Sequence, residues 1–162
     1  MAAFQRALRF SLSWEGGFSD NPADPGGRTD HGIAEAFHPE AWADGKVTPE
    51  EAAAIYRKDY WDAVKGDSLP DLVAFAMFEA AINPGVTRAI QFLQAALGVR
   101  SDGVLGVMTT VALRSTDSLE LALRIVDMRA GYWIARARGE QVVFREGWMN
   151  RSRALRSEIQ KG

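Results

Sequence analysis

Apolar residues recur at four-residue spacing near the amino terminus, at Phe4, Leu8 and Leu12, with Ala7 beside them. That spacing lines one face of an amphipathic helix, which the pattern ends near Glu15, at the Gly16-Gly17 stop. From Phe18 to Gly32 the periodicity gives way to turn chemistry, strongest at Pro25-Gly26-Gly27, and a short β-hairpin fits this stretch. Thr48-Pro49-Glu50-Glu51 starts a helix: Thr48 can cap it, Pro49 suits the first helical position and Glu51 can close a capping box. That helix runs to about Tyr60-Trp61. Ser68-Leu69-Pro70-Asp71 opens another, which stops at Asn83-Pro84-Gly85. Ile90, Leu93 and Leu97 mark a third, with Gly98 as its carboxy-terminal stop. Leu121, Ile125, Met128 and Tyr132 mark a fourth, and Phe144 to Ile159 a last one. No internal repeat, low-complexity segment or long linker interrupts the pattern. The fold class expected is mostly α, with a small β-hairpin or loop element after the first helix.

The 162 residues suffice for one domain with a real core. A 47% hydrophobic and 25% charged composition is ordinary for a soluble globular chain. The absence of cysteine removes disulfides, thiolate metal sites and cysteine nucleophiles. No apolar run approaches a membrane span, and Arg6 and Arg9 interrupt the first residues, which hold no secretory signal. The expectation is storage in the cytoplasm and release by another agent. The net charge of −2 conceals an asymmetry. Residues 1–83 carry 7 Lys and Arg against 14 Asp and Glu; residues 84–162 carry 12 against 7. Two differently solvated surfaces account for this, and so does a basic half that touches an anionic polymer. No basic stripe or recognition motif indicates a nucleic-acid partner.

Most catalytic chemistries lack their parts. His31 and His38 form no zinc-binding pair, no serine sits in a G-x-S-x-G elbow, and neither nucleotide fingerprint occurs. No metal or cofactor is expected. Carboxylate chemistry remains, and paired carboxylates are the usual means of breaking a glycosidic bond.

The carboxylates concentrate in Trp14-Glu15-Gly16-Gly17-Phe18-Ser19-Asp20-Asn21-Pro22-Ala23-Asp24-Pro25-Gly26-Gly27-Arg28-Thr29-Asp30-His31-Gly32-Ile33. Glu15 at a helix end is either a solvated residue or a general acid, its proton retained by burial against Trp14 and Phe18. As an anion at a helix carboxy terminus it is a mild local fault, and such faults cluster at functional sites. Asp24 is either a turn residue before Pro25 or a group folded back to face Glu15 across a cleft. Asp20 has the same two readings. Thr29 is a strand residue or a short, stiff group suited to holding one water. His31 lines or flanks the site, and Asp30 has an open role. Tyr60 and Trp61 are core aromatics or a wall on which a sugar stacks. Asn83 is a helix stop or a hydrogen-bonding group at the cleft.

Glu15-Gly16-Gly17-Phe18, Asp24-Pro25-Gly26-Gly27-Arg28-Thr29 and Gly32-Ile33 together resemble the amino-terminal motif of the phage-type muramidases of glycoside hydrolase family 108. The E-x8-D-x4-T spacing is one residue shorter than the E-x8-D-x5-T of many phage lysozymes. Tyr56 to Trp61, Leu69-Pro70, Phe78 to Gly85, Ala89 to Gln94, Asp102 to Gly106 with Thr109-Thr110, and Gly147 to Arg151 extend the resemblance over nearly the whole chain. Glu79, where the family usually has Asp, is a departure, as are Pro84, Met108 and Asp30. The resemblance implies a lysozyme-like helical domain spanning 1–162, with a catalytic part at 1–83 and a helical part at 84–162 resembling a peptidoglycan-binding region. It implies an endolysin that cuts the β-1,4 bond between N-acetylmuramic acid and N-acetylglucosamine. Glu15 would be the proton donor, Asp24 and Thr29 its electrostatic and water-orienting partners, and His31, Tyr60, Trp61 and Asn83 substrate-binding groups. The implied partners are peptidoglycan glycan strands and, for release, a holin-like membrane protein; a monomer is expected. Two rivals keep a place: a lytic transglycosylase that forms 1,6-anhydro ends, and a non-catalytic wall-binding phage protein.

Overall fold

The computed structural model describes residues 2–20 and 27–162. Helix α1 (Ala2–Leu12) leads to a two-stranded antiparallel hairpin, β1 (Thr29–Asp30) and β2 (Ile33–Ala34). A 3-10 turn (Pro39–Trp42) leads to α2 (Pro49–Tyr56), which continues without a break into a π-helical turn (Arg57–Asp62). Then follow a 3-10 turn (Gly66–Ser68), α3 (Asp71–Ile82), α4 (Val86–Ala96), α5 (Val107–Arg114), α6 (Ser118–Arg136), a 3-10 segment (Gly139–Phe144) and α7 (Arg145–Gln160).

Helix α3 is the axis of the fold. Every residue from Val73 to Ala81 is buried, and α1, α4, α6 and α7 all pack on it. Such all-round burial follows from an apolar run without a polar face. Alanines at 74, 76, 80 and 81 let the neighbouring helices approach closely. Glu79 is the only charge in that run and is fully buried, so the fold must supply it with partners.

The capping box at α2 forms as its sequence suggests. Glu51 N–H donates to the Thr48 hydroxyl at 3.2 Å, and Thr48 N–H donates to the Glu51 carboxylate at 2.9 Å. Two expectations need revision. Helix α1 ends at Leu12, so Glu15 lies just beyond it, although its N–H still donates to Ser11 O at 3.1 Å. Helix α5 had no counterpart in the hydrophobic pattern: Thr109 is its only buried residue, and Val107, Met108 and Val111 stand exposed.

Candidate active site

The hairpin turn is built from His31 and Gly32, at φ 49° and 76°. Two positive φ angles match the turn geometry that suits the twist of adjoining strands, and glycine is the residue that accepts it most readily. The register Thr29↔Ala34 and Asp30↔Ile33 leaves those two residues as the whole loop. Arg28 and Glu35 close the open end of the hairpin, with Arg28 Nε and Nη2 donating to the two carboxylate oxygens at 2.8 and 2.6 Å. The strand is also stitched to the chain leaving Glu15. Ser19 and Thr29 exchange both main-chain hydrogen bonds, at 2.8 and 2.9 Å.

These bonds bring the hairpin tip onto Glu15. A Cβ added to Gly32 would lie 2.4 Å from the Tyr56 hydroxyl, 3.1 Å from Glu15 Cγ and 3.3 Å from Glu15 Oε2. Only a residue without a side chain fits there. Tyr56, at the end of α2, donates its hydroxyl hydrogen to His31 O at 3.3 Å. Burial, then the negative charge of Glu15, holds that phenol well above its ordinary value, so it remains a donor at every working pH. One helical turn on, Tyr60 is raised in the same direction, first by burial, then by Asp59 and Glu15.

The other side of Glu15 meets Arg151 of α7, whose Nη1 donates to Oε1 at 2.7 Å. Arg151 gives two further donors to Glu79, Nε to Oε2 at 3.0 Å and Nη2 to Oε1 at 3.2 Å. Burial works against the charge of Arg151, but Glu79 and then Glu15 outweigh it and hold the guanidinium firmly protonated. The Ser11 hydroxyl also donates to Glu79. Arg129 of α6, drawn down by burial, donates to Glu79 O at 3.2 Å and to the Ser152 hydroxyl at 3.1 Å. Two carboxylates and two guanidiniums therefore form one chain of interactions. Glu79 and Arg129 are sealed inside, while the Glu15 side chain keeps 21% of its surface open. Of the network's two carboxylates, only Glu15 is open to solvent.

The sequence-derived residues divide accordingly. Glu15, the His31–Gly32 turn and Tyr60 lie around one point. Thr29 lies beside the chain that leaves it. Asn83 is the exposed carboxy-terminal cap of α3, one turn beyond Glu79 along the same helix face. Asp24 lies outside the described residues. Trp61 is a correction: its ring is 1% exposed, packed edge-on against Phe4 and Phe78, with its N–H donated to Asp67 at 2.9 Å. It has no face to offer a sugar. The aromatic packing expected around Glu15 also differs. Trp14 and Phe18 are 38% and 60% exposed, and they turn toward Phe10 and Trp42.

Arg129 and the bridging role of Arg151 escaped the sequence reading. The signal was present: Arg129 falls four residues after Ile125, on the buried stripe of α6. A cation on one apolar stripe and an anion in another apolar run mark a buried pair.

The sequence profile of the family described as Glycosyl hydrolase 108 matches residues 8–85. A solved structure, that of SagA from Brucella abortus, superposes with a TM-score of 0.82 at 33% identity, over 99% of this chain and 95% of that one. No curated protein matches the chain significantly.

Proposed function

The chain belongs to the glycosyl hydrolase 108 family and is a glycoside hydrolase, and from that premise we propose that it hydrolyses the β-1,4 bond between N-acetylmuramic acid and N-acetylglucosamine, with Glu15 as general acid. A lysozyme-like peptidoglycan hydrolase is what the family supports at the coarser level. The observation that carries the finer reading is the asymmetric environment of Glu15. Oε1 is held by Arg151, Oε2 lies under the Gly32 turn, and the carboxyl group remains partly open.

A general acid must be held still and must carry a proton when the leaving oxygen departs. Arg151 is committed to Glu79 through two of its donors and gives Glu15 one. A proton on Oε2 leaves that contact in place as an ordinary hydrogen bond. On donation, the carboxylate that forms is met by the guanidinium already aimed at it. Asp24 and Thr29 act with it on the oxocarbenium-like charge or the attacking water. His31, Tyr60 and Asn83 contact the sugar. In the cell, the enzyme reaches its substrate with the help of a holin-like membrane protein. Among the described residues no helix is long and apolar enough to cross a membrane.

The test is digestion of purified peptidoglycan by wild type and by Glu15→Gln, with mass spectrometry of the released ends. Reducing muramic acid ends from wild type and none from the variant are expected. Anhydro ends would instead indicate a lytic transglycosylase, and no new ends a wall-binding protein.

A further inference from the structure

Helix α1, which leads into Glu15, and α7, which carries Arg151, enclose a second feature. A groove of about 590 Å3 runs along the seam between α1 and α7. Its walls carry Arg6, Arg9 and, just past the helix end, Ser13 on the α1 side, and Ser157, Glu158 and, just past the helix end, Lys161 on the α7 side, with Phe10 between them. Its near end is Ser13 and Ala154, two residues before Glu15 and three after Arg151. The Ser13–Ala154 end is therefore the one nearer the Glu15–Arg151 contact, although neither of those residues lines the groove.

Its charge is unbalanced, with three cations against one carboxylate. Glu158 serves both Arg6 and Lys161, the first at 3.8 Å and the second at 2.6 Å. Among the described residues Arg9 makes no ion pair. Between Ala154 and Lys161, α7 rises roughly 10 Å at 1.5 Å per residue. About three residues of extended peptide cover that length. Two serine hydroxyls add donors and acceptors at the rim.

We propose that this groove binds the acidic peptide that peptidoglycan carries on its muramic acid, beside the bond to be cut. The inference rests on the peptidoglycan reading above. That peptide is short, bears several carboxylates and one amine, and leaves the glycan next to the scissile linkage. Arg9 takes a carboxylate; the Arg6–Glu158–Lys161 cluster takes the far end, where Glu158 can meet the amine. The groove thus makes the enzyme prefer glycan that still carries its peptides.

Two measurements test this. The first compares kcat/KM on intact peptidoglycan and on the same glycan stripped of peptide by an amidase, for wild type, Arg9→Glu and Arg9→Lys. The expected result is about a five-fold preference of wild type for the intact polymer, the scale of one well-placed exposed charge pair. Arg9→Glu abolishes that preference through KM, with kcat and cleavage of the stripped polymer unchanged, and Arg9→Lys restores it. Equal rates on both polymers for wild type, or an equal loss on both for Arg9→Glu, overturns the proposal. The second titrates N-acetyl-L-alanyl-γ-D-glutamyl-diaminopimelate into the labelled protein. Saturable amide shifts at Arg9, Ser13 and Ser157, weakened by salt and lost in Arg9→Glu, are expected; shifts absent or elsewhere overturn it. If neither polymer is cut, the muramidase reading fails and the titration alone decides the groove.

Discussion

Two arginine–carboxylate clasps in this molecule have the same chemistry and opposite settings. Arg28 and Glu35 clasp the open end of the hairpin with both side chains about one-third exposed. Arg151 and Glu79 clasp each other at the centre, with exposures of 9% and zero. Both are two-point contacts of guanidinium on carboxylate. The first is open to competition from solvent, and the second is almost wholly shielded from it. The exposed clasp can open without leaving a stranded charge. The buried one cannot, because removing either partner leaves an ion with no solvent to receive it. The lesson concerns function as well as stability. A buried network fixes Arg151, and a fixed Arg151 is what positions Glu15. The hairpin clasp shapes only the cover.

The sharpest way to break the comparison is at Glu79. Glu79→Gln leaves Arg151 and Arg129 undercompensated and should cost about 3–5 kcal/mol, a Tm decrease of roughly 6–20 °C for a chain of this size by thermal unfolding. Next is Gly32→Ala. Its Cβ would overlap the Tyr56 hydroxyl and press on Glu15 at a φ of 76°, so about 1–3 kcal/mol of stability is lost. Turnover falls further than stability, as paired melting and activity curves would show. Thr48→Ala removes one half of the α2 capping box, remote from the site. It should cost about 1 kcal/mol without changing kcat. Arg28→Ala should lower the Tm by only a small fraction of the Glu79→Gln effect; a comparable drop would refute the contrast between the two clasps.

The smallest effect is on pH. Glu35 is held below the usual carboxylate range first by its bond from Arg28, Glu51 by the Thr48 N–H and Asp102 by the Gln94 side chain. A carboxylate lowered in the folded state contributes stability that is complete above its unfolded value. That contribution is lost as pH falls through the folded value. Melting curves should therefore be flat from neutral pH down to about 4.5 and decline below it. Arg28→Ala should flatten that decline slightly.

Much of the architecture was legible because local signals and tertiary demands agree. Thr48 and Glu51 announce a capping box and form one. Leu121 and Ile125 announce a stripe and are buried. Glu15 could be singled out because a carboxylate after a helix end, followed by two glycines, has no local reason to be there. What was not legible depends on distance in the chain. Nothing near Arg151 in sequence points to Glu15, 136 residues away. For Trp61 the sequence leaves both a core aromatic and a sugar wall open, because an aromatic pair after a tyrosine reads alike whether it faces in or out, and the structure shows the core role. The π-helical turn sends Trp61 inward against Phe4 and leaves Tyr60 partly exposed near Glu15. Helix α5 went unread because it buries almost nothing of its own.

The central claim is that Glu15 is held for chemistry and Glu79 for the fold. One measurement separates them: kcat on peptidoglycan for Glu15→Gln, taken with its melting temperature. The account predicts a loss of about 100-fold or more, the scale of a missing general acid, in a protein that melts close to wild type. Turnover within ten-fold of wild type, or a collapse of the fold like that expected for Glu79→Gln, would contradict it.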